Sequence, residues 1–362
     1  MKWSKQQSGY VLILAIGIVT VMSLLVFGIV NQVIVYNRLT ITLADREQAR
    51  LLALSGIQIA IGQLSDDPEK SKKEDGKVGA SPKDKQESTL QKSLKKLVPL
   101  LNRWQTFSLA EKEEDSERSC EIYIASEQGK ININSLYDFK QKKFIKEQEL
   151  DGAKIIQQIG EKFGSAVKDQ SFAENLKKYI QERGKPLDDV TQIAGDAHFK
   201  KLKDYIFISP TTRGSGKNDH IVNVALLDML TVDSKSKQVQ PWFLTASAMV
   251  ALGFKDMQKN ADKKVWDTFF EQLKGVHEPI AWQQKWDTLL APVLGKGYSS
   301  IGPEIRGIFA QELDAASFSV VSYGKFGGTT VKVYAILYKK LSENGDENNS
   351  PVSYCIKKLY WI

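Results

Sequence analysis

Histidine and cysteine are nearly absent from this chain, with three of the former and two of the latter in 362 residues. His198, His220 and His277 stand far apart without paired ligands, so no zinc site of ordinary spacing is written into the sequence. Proline does not occur before Pro68, glycine does not occur between Gly28 and Gly56, and no charge occurs from Gln6 to Asn37. These last three absences overlap. They leave a stretch where nothing breaks a helix and nothing holds it in water.

What fills that stretch is an apolar run of about 26 residues, from Tyr10-Val-Leu-Ile-Leu14 to Val33-Ile-Val35, interrupted only by Thr20, Ser23, Asn31 and Gln32. Roughly 20 residues suffice to cross the hydrocarbon core as a helix. A cleaved secretory signal would have a shorter core, roughly 7–15 residues, and a small-residue site behind it. Here the helical pattern instead continues through polar sequence to Leu64. Ala49, Leu52, Ala53, Gly56, Ile57, Ala60 and Leu64 recur at the spacing of one helical face. The prediction is one helix of about 55 residues, apolar all round in its first half and one-faced in its second.

Ser65-Asp-Asp-Pro68 ends the pattern, and residues 66–89, mostly Lys, Glu, Asp, Ser and Gly, read as a mobile loop. Leu90, Leu94, Leu97, Val98 and Leu101 resume helical spacing, with a kink expected at Pro99. Ser119 to Ala125 alternates as a half-buried strand, with Cys120, Ile122 and Ile124 on one side and Glu121 and Tyr123 on the other. Runs at 318–323, 329–338 and 352–361 read as three further strands, with Gly324-Lys-Phe-Gly327-Gly328 as a hairpin turn and Glu343 to Pro351 as a longer loop. Between Asn134 and Asp314 the period is mainly helical, as in Ile155, Ile156, Ile159 and Phe163, or Val265, Trp266, Phe269, Phe270 and Leu273. Trp282 and Trp286 share one helical face and read as core.

The chain is 42% hydrophobic and 26% charged, enough for a globular core. A net charge of +7 and a pI near 9.0 raise nucleic acid or anionic lipid as partners, but lysine is interleaved with Asp and Glu along the whole length, as on solvated faces. No nucleophile or acid/base couple stands out, so no enzyme is expected. Arg213-Gly-Ser-Gly216-Lys217-Asn218 lacks the phosphate-loop spacing. No cofactor is expected. Calcium is the open case, since Asp188-Asp189 and Glu343 to Glu347 could supply oxygens, though without an EF-hand pattern. The strand alternation puts Cys120 and Cys355 on different sides of a sheet, which disfavours a bridge.

The first 64 residues resemble the type IV pilin and type II secretion pseudopilin group. Members carry a short basic leader, a Gly after which prepilin peptidase cuts, and a long bipartite helix; Lys2, Lys5, Gly9 and Tyr10 match, as does Leu43-Ala-Asp-Arg-Glu-Gln-Ala-Arg-Leu-Leu-Ala-Leu-Ser-Gly56-Ile-Gln-Ile-Ala60. Most members have Glu at the fifth mature position, where this chain has Leu14. That departure is characteristic of the K-type minor pseudopilin. Gly129-Lys-Ile-Asn132-Ile-Asn134 resembles the K family's first Asn motif, and Tyr179 to Gly195 its Pro-acidic-helix-Gly element. His220-Ile-Val-Asn223-Val-Ala225 resembles the second Asn motif, with Ala225 where Asn is usual.

The resemblance implies an α+β fold, in which a pilin-like N-terminal helix packs on a small antiparallel sheet with a large helical insertion. Its divisions would be a leader (1–9), the transmembrane half (10–35) and amphipathic half (36–65) of the helix, a linker with a short helix (66–118), a pilin-like strand (119–136), the insertion (137–314) and the C-terminal strands (315–362). It implies processing at Gly9 and Tyr10, and filament assembly through Leu14, Ala49, Ala53, Gly56 and Ala60. The implied partners are I- and J-type minor pseudopilins, the major pseudopilin, prepilin peptidase and the inner membrane, with the N-terminus cytoplasmic and the globular part periplasmic. The positive-inside count does not settle that orientation, because Arg38, Arg46 and Arg50 follow the apolar run. The implied role is structural, at the tip of a type II secretion pseudopilus and without nucleic acid. A minor pilin of an adhesion or DNA-uptake pilus is the alternative.

Overall fold

The computed structural model describes residues 4–65, 94–109, 118–210, 224–234, 237–254, 263–272, 285–310, 315–340 and 352–362. The loop expected at 66–89 and the loop from Glu343 to Pro351 lie outside them, as do His220, His277, Trp282 and the Arg213–Asn218 segment.

Helix α1 runs from Ser4 to Leu64 without a break, as the absence of proline allows, and its glycines, Gly17, Gly28, Gly56 and Gly62 among them, are single and well spaced. By length and composition it suffices to cross a membrane. Large apolar side chains from Tyr10 to Leu43 are exposed. Burial starts at Ala49 and recurs at Ala53, Gly56, Ile57, Ala60 and Leu64, the expected face, with Leu52 half-buried at its border.

That face rests on a five-stranded antiparallel sheet: β1 (Trp104–Ser108), β2 (Arg118–Ser126), β3 (Ser317–Phe326), β4 (Thr329–Lys340) and β5 (Ser353–Trp361), side by side in chain order. The α+β class is therefore the expected one. Strand β1 was hidden from sequence reasoning, because its five residues carry only Trp104 and Phe107 as apolar signals. It pairs with β2 in the register Trp104↔Tyr123 to Ser108↔Ser119.

Pairing register assigns the two faces of the sheet. Cys120, Ile122, Ile124, Val320, Ser322, Val333 and Ala335 share the α1 face, and Tyr123, Val321, Tyr323 and Tyr334 share the opposite one. Both faces are buried, so β2 is a central strand packed on two sides instead of the half-buried strand its alternation suggests. Cys120 lies under α1 and Cys355 pairs with Tyr338 on the other side, with β3 and β4 between their strands. Three strand spacings of about 4.8 Å exceed the reach of a disulfide. Both thiols are free.

The hairpin between β3 and β4 is tighter than expected. Gly324 lies inside β3, paired with Val331, and only Gly327 and Gly328 turn the chain. Gly327 has φ +55°, which suits a two-residue hairpin. Gly324 is needed for another reason: a Cβ there would lie 2.0 Å from the Ala49 carbonyl oxygen and 2.5 Å from the Ala53 nitrogen.

Residues 127–316 connect β2 to β3, leaving and re-entering at the same end because Ser126 pairs with Phe318. The insertion thus starts at Glu127, earlier than the expected 137. Its described residues are less helical than its periodicity suggests. Helices α2 (Gly152–Val167), α3 (Phe172–Arg183), α4 (Ala246–Leu252) and α5 (Lys263–Gln272) are joined by 3-10 turns and two-residue strand pairs. Ile155, Ile156, Ile159 and Phe163 of α2 are buried as expected, the helix being capped by Asp151, which accepts from the Lys154 N–H at 3.1 Å. Trp286 is core and donates from Nε1 to the Lys296 carbonyl at 3.0 Å.

Gly324→Ala, where backbone blocks the new methyl, is expected to cost at least about 2 kcal/mol. Gly62→Ala, on the open side of α1 with nothing within 4 Å, is expected to stabilise, by about 0.5–1 kcal/mol. Thermal melts of the full chain in detergent check both signs.

Candidate functional site

Three regions compete as functional sites: the start of α1, its striped half, and the seam between sheet and insertion. At the start, α1 is helical through Gly9, and Tyr10 and Leu14 are exposed. Their side chains are mostly open, at 77% and 58% exposure, and so available to a lipid, a peptidase or a neighbour.

The stripe is another matter. Ala49, Ala53 and Ala60 have no exposed surface, and a Cβ on Gly56 would lie 2.2 Å from Ser322 Oγ and 2.5 Å from Cys120 Sγ. The expected assembly role of Ala49, Ala53, Gly56 and Ala60 is therefore corrected: they join the helix to its own sheet and cannot meet a second subunit. Small residues at this spacing let two backbones approach, and here the second backbone is β3. Leu51, Ser55, Gln58 and Gly62 form the exposed side of the same helix segment.

The motifs of the insertion hold joints. A Cβ on Gly129 would collide with the Phe243 carbonyl oxygen at 1.7 Å, so only glycine fits. Asn132 Oδ1 accepts from the Asn134 N–H at 3.1 Å. Asn134 in turn accepts from the Leu187 N–H and donates to the Leu187 carbonyl, each at 2.8 Å, as a strand neighbour would. The first Asn motif thus clips directly onto the Pro186-Leu187-Asp188-Asp189 element. Ala225, in place of the usual second Asn, uses its backbone N–H to bond Ser247 Oγ at 3.0 Å.

Charge is concentrated under the sheet face opposite α1. Lys130 and Glu127, each 1% exposed, form an ion pair; Lys130 Nζ also donates to Ser319 Oγ at 2.7 Å, and Thr231 Oγ1 donates to the second Glu127 oxygen. Asp228 accepts from Tyr123 Oη at 3.1 Å and the Ser247 N–H at 3.0 Å. Burial pushes the Asp228 carboxyl up, against the pull of Lys130 and these hydrogen bonds. Asp233 is held by Lys358 at 2.9 Å, and its carbonyl accepts from Tyr338 Oη at 2.6 Å. These groups are hydrogen-bonded to one another, as in a structural network.

Burial alone would raise the Asp189 carboxyl, but hydrogen bonds from Tyr360 and Thr191 and the nearby Lys358 hold it below the usual carboxylate range. Its oxygens are committed to those partners, while Asp188 is exposed. The two carboxylates at 188–189 therefore form no oxygen cage. Among the described residues no three His, Cys, Asp or Glu side chains converge. Glu343 to Glu347 lies outside them.

Burial also raises four tyrosines that line the seam: Tyr323 to about 12, and Tyr334, Tyr338 and Tyr360 in the same direction. A phenol whose folded-state pKa exceeds its unfolded value adds stability that is complete below pH ~10 and is lost as pH rises toward the folded value. Melting temperature should therefore hold up to pH ~9 and fall between pH ~10 and ~12. Lys130→Met should cost about 3–5 kcal/mol by leaving Glu127 buried without its cation, and the double change with Glu127→Leu should recover most of it. The same detergent melts measure both effects.

No family model matches this chain, and no curated protein matches it. Among solved structures it is similar to a chain of the GspK-GspI-GspJ complex from the enterotoxigenic Escherichia coli Type 2 Secretion System, at 13% sequence identity over 89% of this chain and 99% of that chain, with a TM-score of 0.43.

Proposed function

We propose that this protein is a K-type minor pseudopilin, a structural subunit that initiates or caps the pseudopilus of a type II secretion system. It catalyses no reaction. The observation that carries this reading is the division of α1: residues 10–48 stand almost entirely clear of the rest of the chain, while the buried stripe from Ala49 to Leu64 is locked onto the sheet. A rod held rigidly at one end and free at the other can slot beside similar rods without disturbing the globular part. Its free surface is apolar along the membrane half, and continues as Leu51, Ser55 and Gln58 on the outer side of the striped half.

Leu14 supports the tip position. A carboxylate at membrane depth is costly without a cation beside it, and a first subunit has no preceding neighbour to supply one. An apolar side chain there removes the cost. In this reading Gly9 and Tyr10 flank the prepilin peptidase cut, the apolar half crosses the inner membrane once, and the sheet and insertion stand in the periplasm. The I- and J-type minor pseudopilins take the free side of α1, the major pseudopilin follows, and nucleic acid has no part.

Mass spectrometry of the membrane form from cells that hold prepilin peptidase checks the proposal. The expected species lacks residues 1–9 and carries a methylated amine on Tyr10. An intact Met1 with its leader in place would remove the protein from the group.

A further inference from the structure

Helix α1 covers only part of the sheet face on which it packs. Four strand spacings of about 4.8 Å make that face roughly 19 Å wide, while a helix is about 10 Å across. The helix is centred on the middle strand, where Gly324 meets Ala49 and Ala53. On the β1 side the chain fills the remaining space itself: Leu94, Leu97 and Leu101 are buried, Lys96 Nζ donates to the Leu64 carbonyl at 2.9 Å, and Gln63 Nε2 donates to Gln105 Oε1 at 2.8 Å. On the β5 side Ile356 and Leu359 are 39% exposed and Trp361 is 44% exposed.

A β-bulge aligns that open row. Ile356 pairs with Leu337, Leu359 with Ala335 and Trp361 with Val333, all on the α1 face, because the register slips by one residue at Lys357. Without the slip, strict alternation from Ile356 would bring Lys358 onto this face and turn Leu359 and Trp361 to the other. Instead Lys357 and Lys358 both reach Asp233 on the far face, at 3.6 and 2.9 Å. The edge strand thus presents an unbroken apolar row beside α1. Arg50 marks the flank of α1 that faces it, since its guanidinium lies over the Trp361 ring at 4.5 Å with its charge paired to Glu47 at 2.9 Å. Tyr36, Leu39, Leu43, Leu54 and Ile61 lie 14, 11, 7, 4 and 11 residues from Arg50, spacings that share one helical side. Leu54 and Ile61 are half-buried, and Tyr36, Leu39 and Leu43 are exposed.

We propose that the slot between α1 and β5 receives the N-terminal helix of a neighbouring subunit, lying beside α1 and rooted in the same membrane. Strand β5 runs two strand spacings, about 10 Å, from the strand beneath α1, and packed helices stand about 8–10 Å apart. A second helix laid over β5 therefore meets α1 at contact distance. A membrane-rooted helix is favoured over a soluble partner because the apolar flank runs on from the slot through Leu43, Leu39 and Tyr36 into the spanning half, and only a helix that continues into the bilayer covers all of it. Ile356, Leu359, Trp361, Tyr36, Leu39 and Leu43 leave about 100 Å² open each, roughly 600 Å² before Leu54 and Ile61 are added, against the ~800 Å² per partner of a stable complex. The identity of the neighbour rests on the pseudopilin reading.

The test uses the full chain in membranes of cells that also make the I- and J-type minor pseudopilins of the same system. The photo-crosslinking residue benzoylphenylalanine replaces Ile356 in one chain and, in another, Leu51 on the outer side of α1. The expected product from position 356 joins the N-terminal helix of one of those two subunits, as located by peptide mass spectrometry. Leu359→Lys, at a half-exposed site, should cut that product by at least about tenfold, with the product from position 51 and the melting temperature unchanged. A product from position 356 on lipid, on another part of this chain, on a second copy or on a non-helical part of a partner overturns the proposal. So does the lack of any product there, or a yield that Leu359→Lys leaves unaltered. If position 51 still joins a partner helix in those cases, the slot fails and the pseudopilin reading stands; an intact leader with no product at either position removes both.

Discussion

The contact between the backbone of α1 and the backbone of β3 is the constraint on which the molecule depends. It exists because Gly324 on the strand faces Ala49 and Ala53 on the helix, and because Gly56 faces Ser322 and Cys120. Any larger side chain on either side would hold the two apart. With them close, Ile57, Ala60 and Leu64 reach the core and the helix has one rotation about its axis. That rotation decides which face of the apolar half is aligned with the globular part.

The opposite face of the sheet is built by different physics. There the insertion is joined through polar groups, Lys130 (paired with Glu127) to Ser319, Asp228 to Tyr123 and Asp233 to Lys358, each satisfied by several partners. Such a seam contributes less net stability than an apolar one of the same area, because the groups lose their hydration on folding. It gains directionality in return, since each bond has a required geometry. The insertion leaves and returns at one end of a strand pair, and bonds that cross to the strands, such as Lys130 to Ser319, Tyr123 to Asp228 and Tyr338 to the Asp233 carbonyl, set its orientation to the sheet.

Much of this was legible in residues. The unbroken α1, its striped second half and the long C-terminal strands follow from periods of 3.6 and 2 that no proline interrupts, and Ile155, Ile156, Ile159 and Phe163 marked α2 for the same reason. Strand β1 was not legible, because five residues with two apolar side chains carry too little period. Gly324 was read as turn because glycine there signals flexibility as readily as close approach. Glu127 and Lys130 gave no sign of burial, because charged residues one helical turn apart look like a solvated pair until a sheet covers them.

The sequence by itself determined that a long apolar rod precedes a globular α+β part, since local period and the absence of breakers are properties of neighbours along the chain. Only the tertiary structure decided what the small-residue stripe is for. Ala49, Ala53, Gly56 and Ala60 describe a surface able to approach another backbone, and the identity of that backbone depends on residues more than 250 positions away in β3. The physical reason is that close packing is a property of pairs: one partner's shape can be read from its own residues, and its occupant cannot.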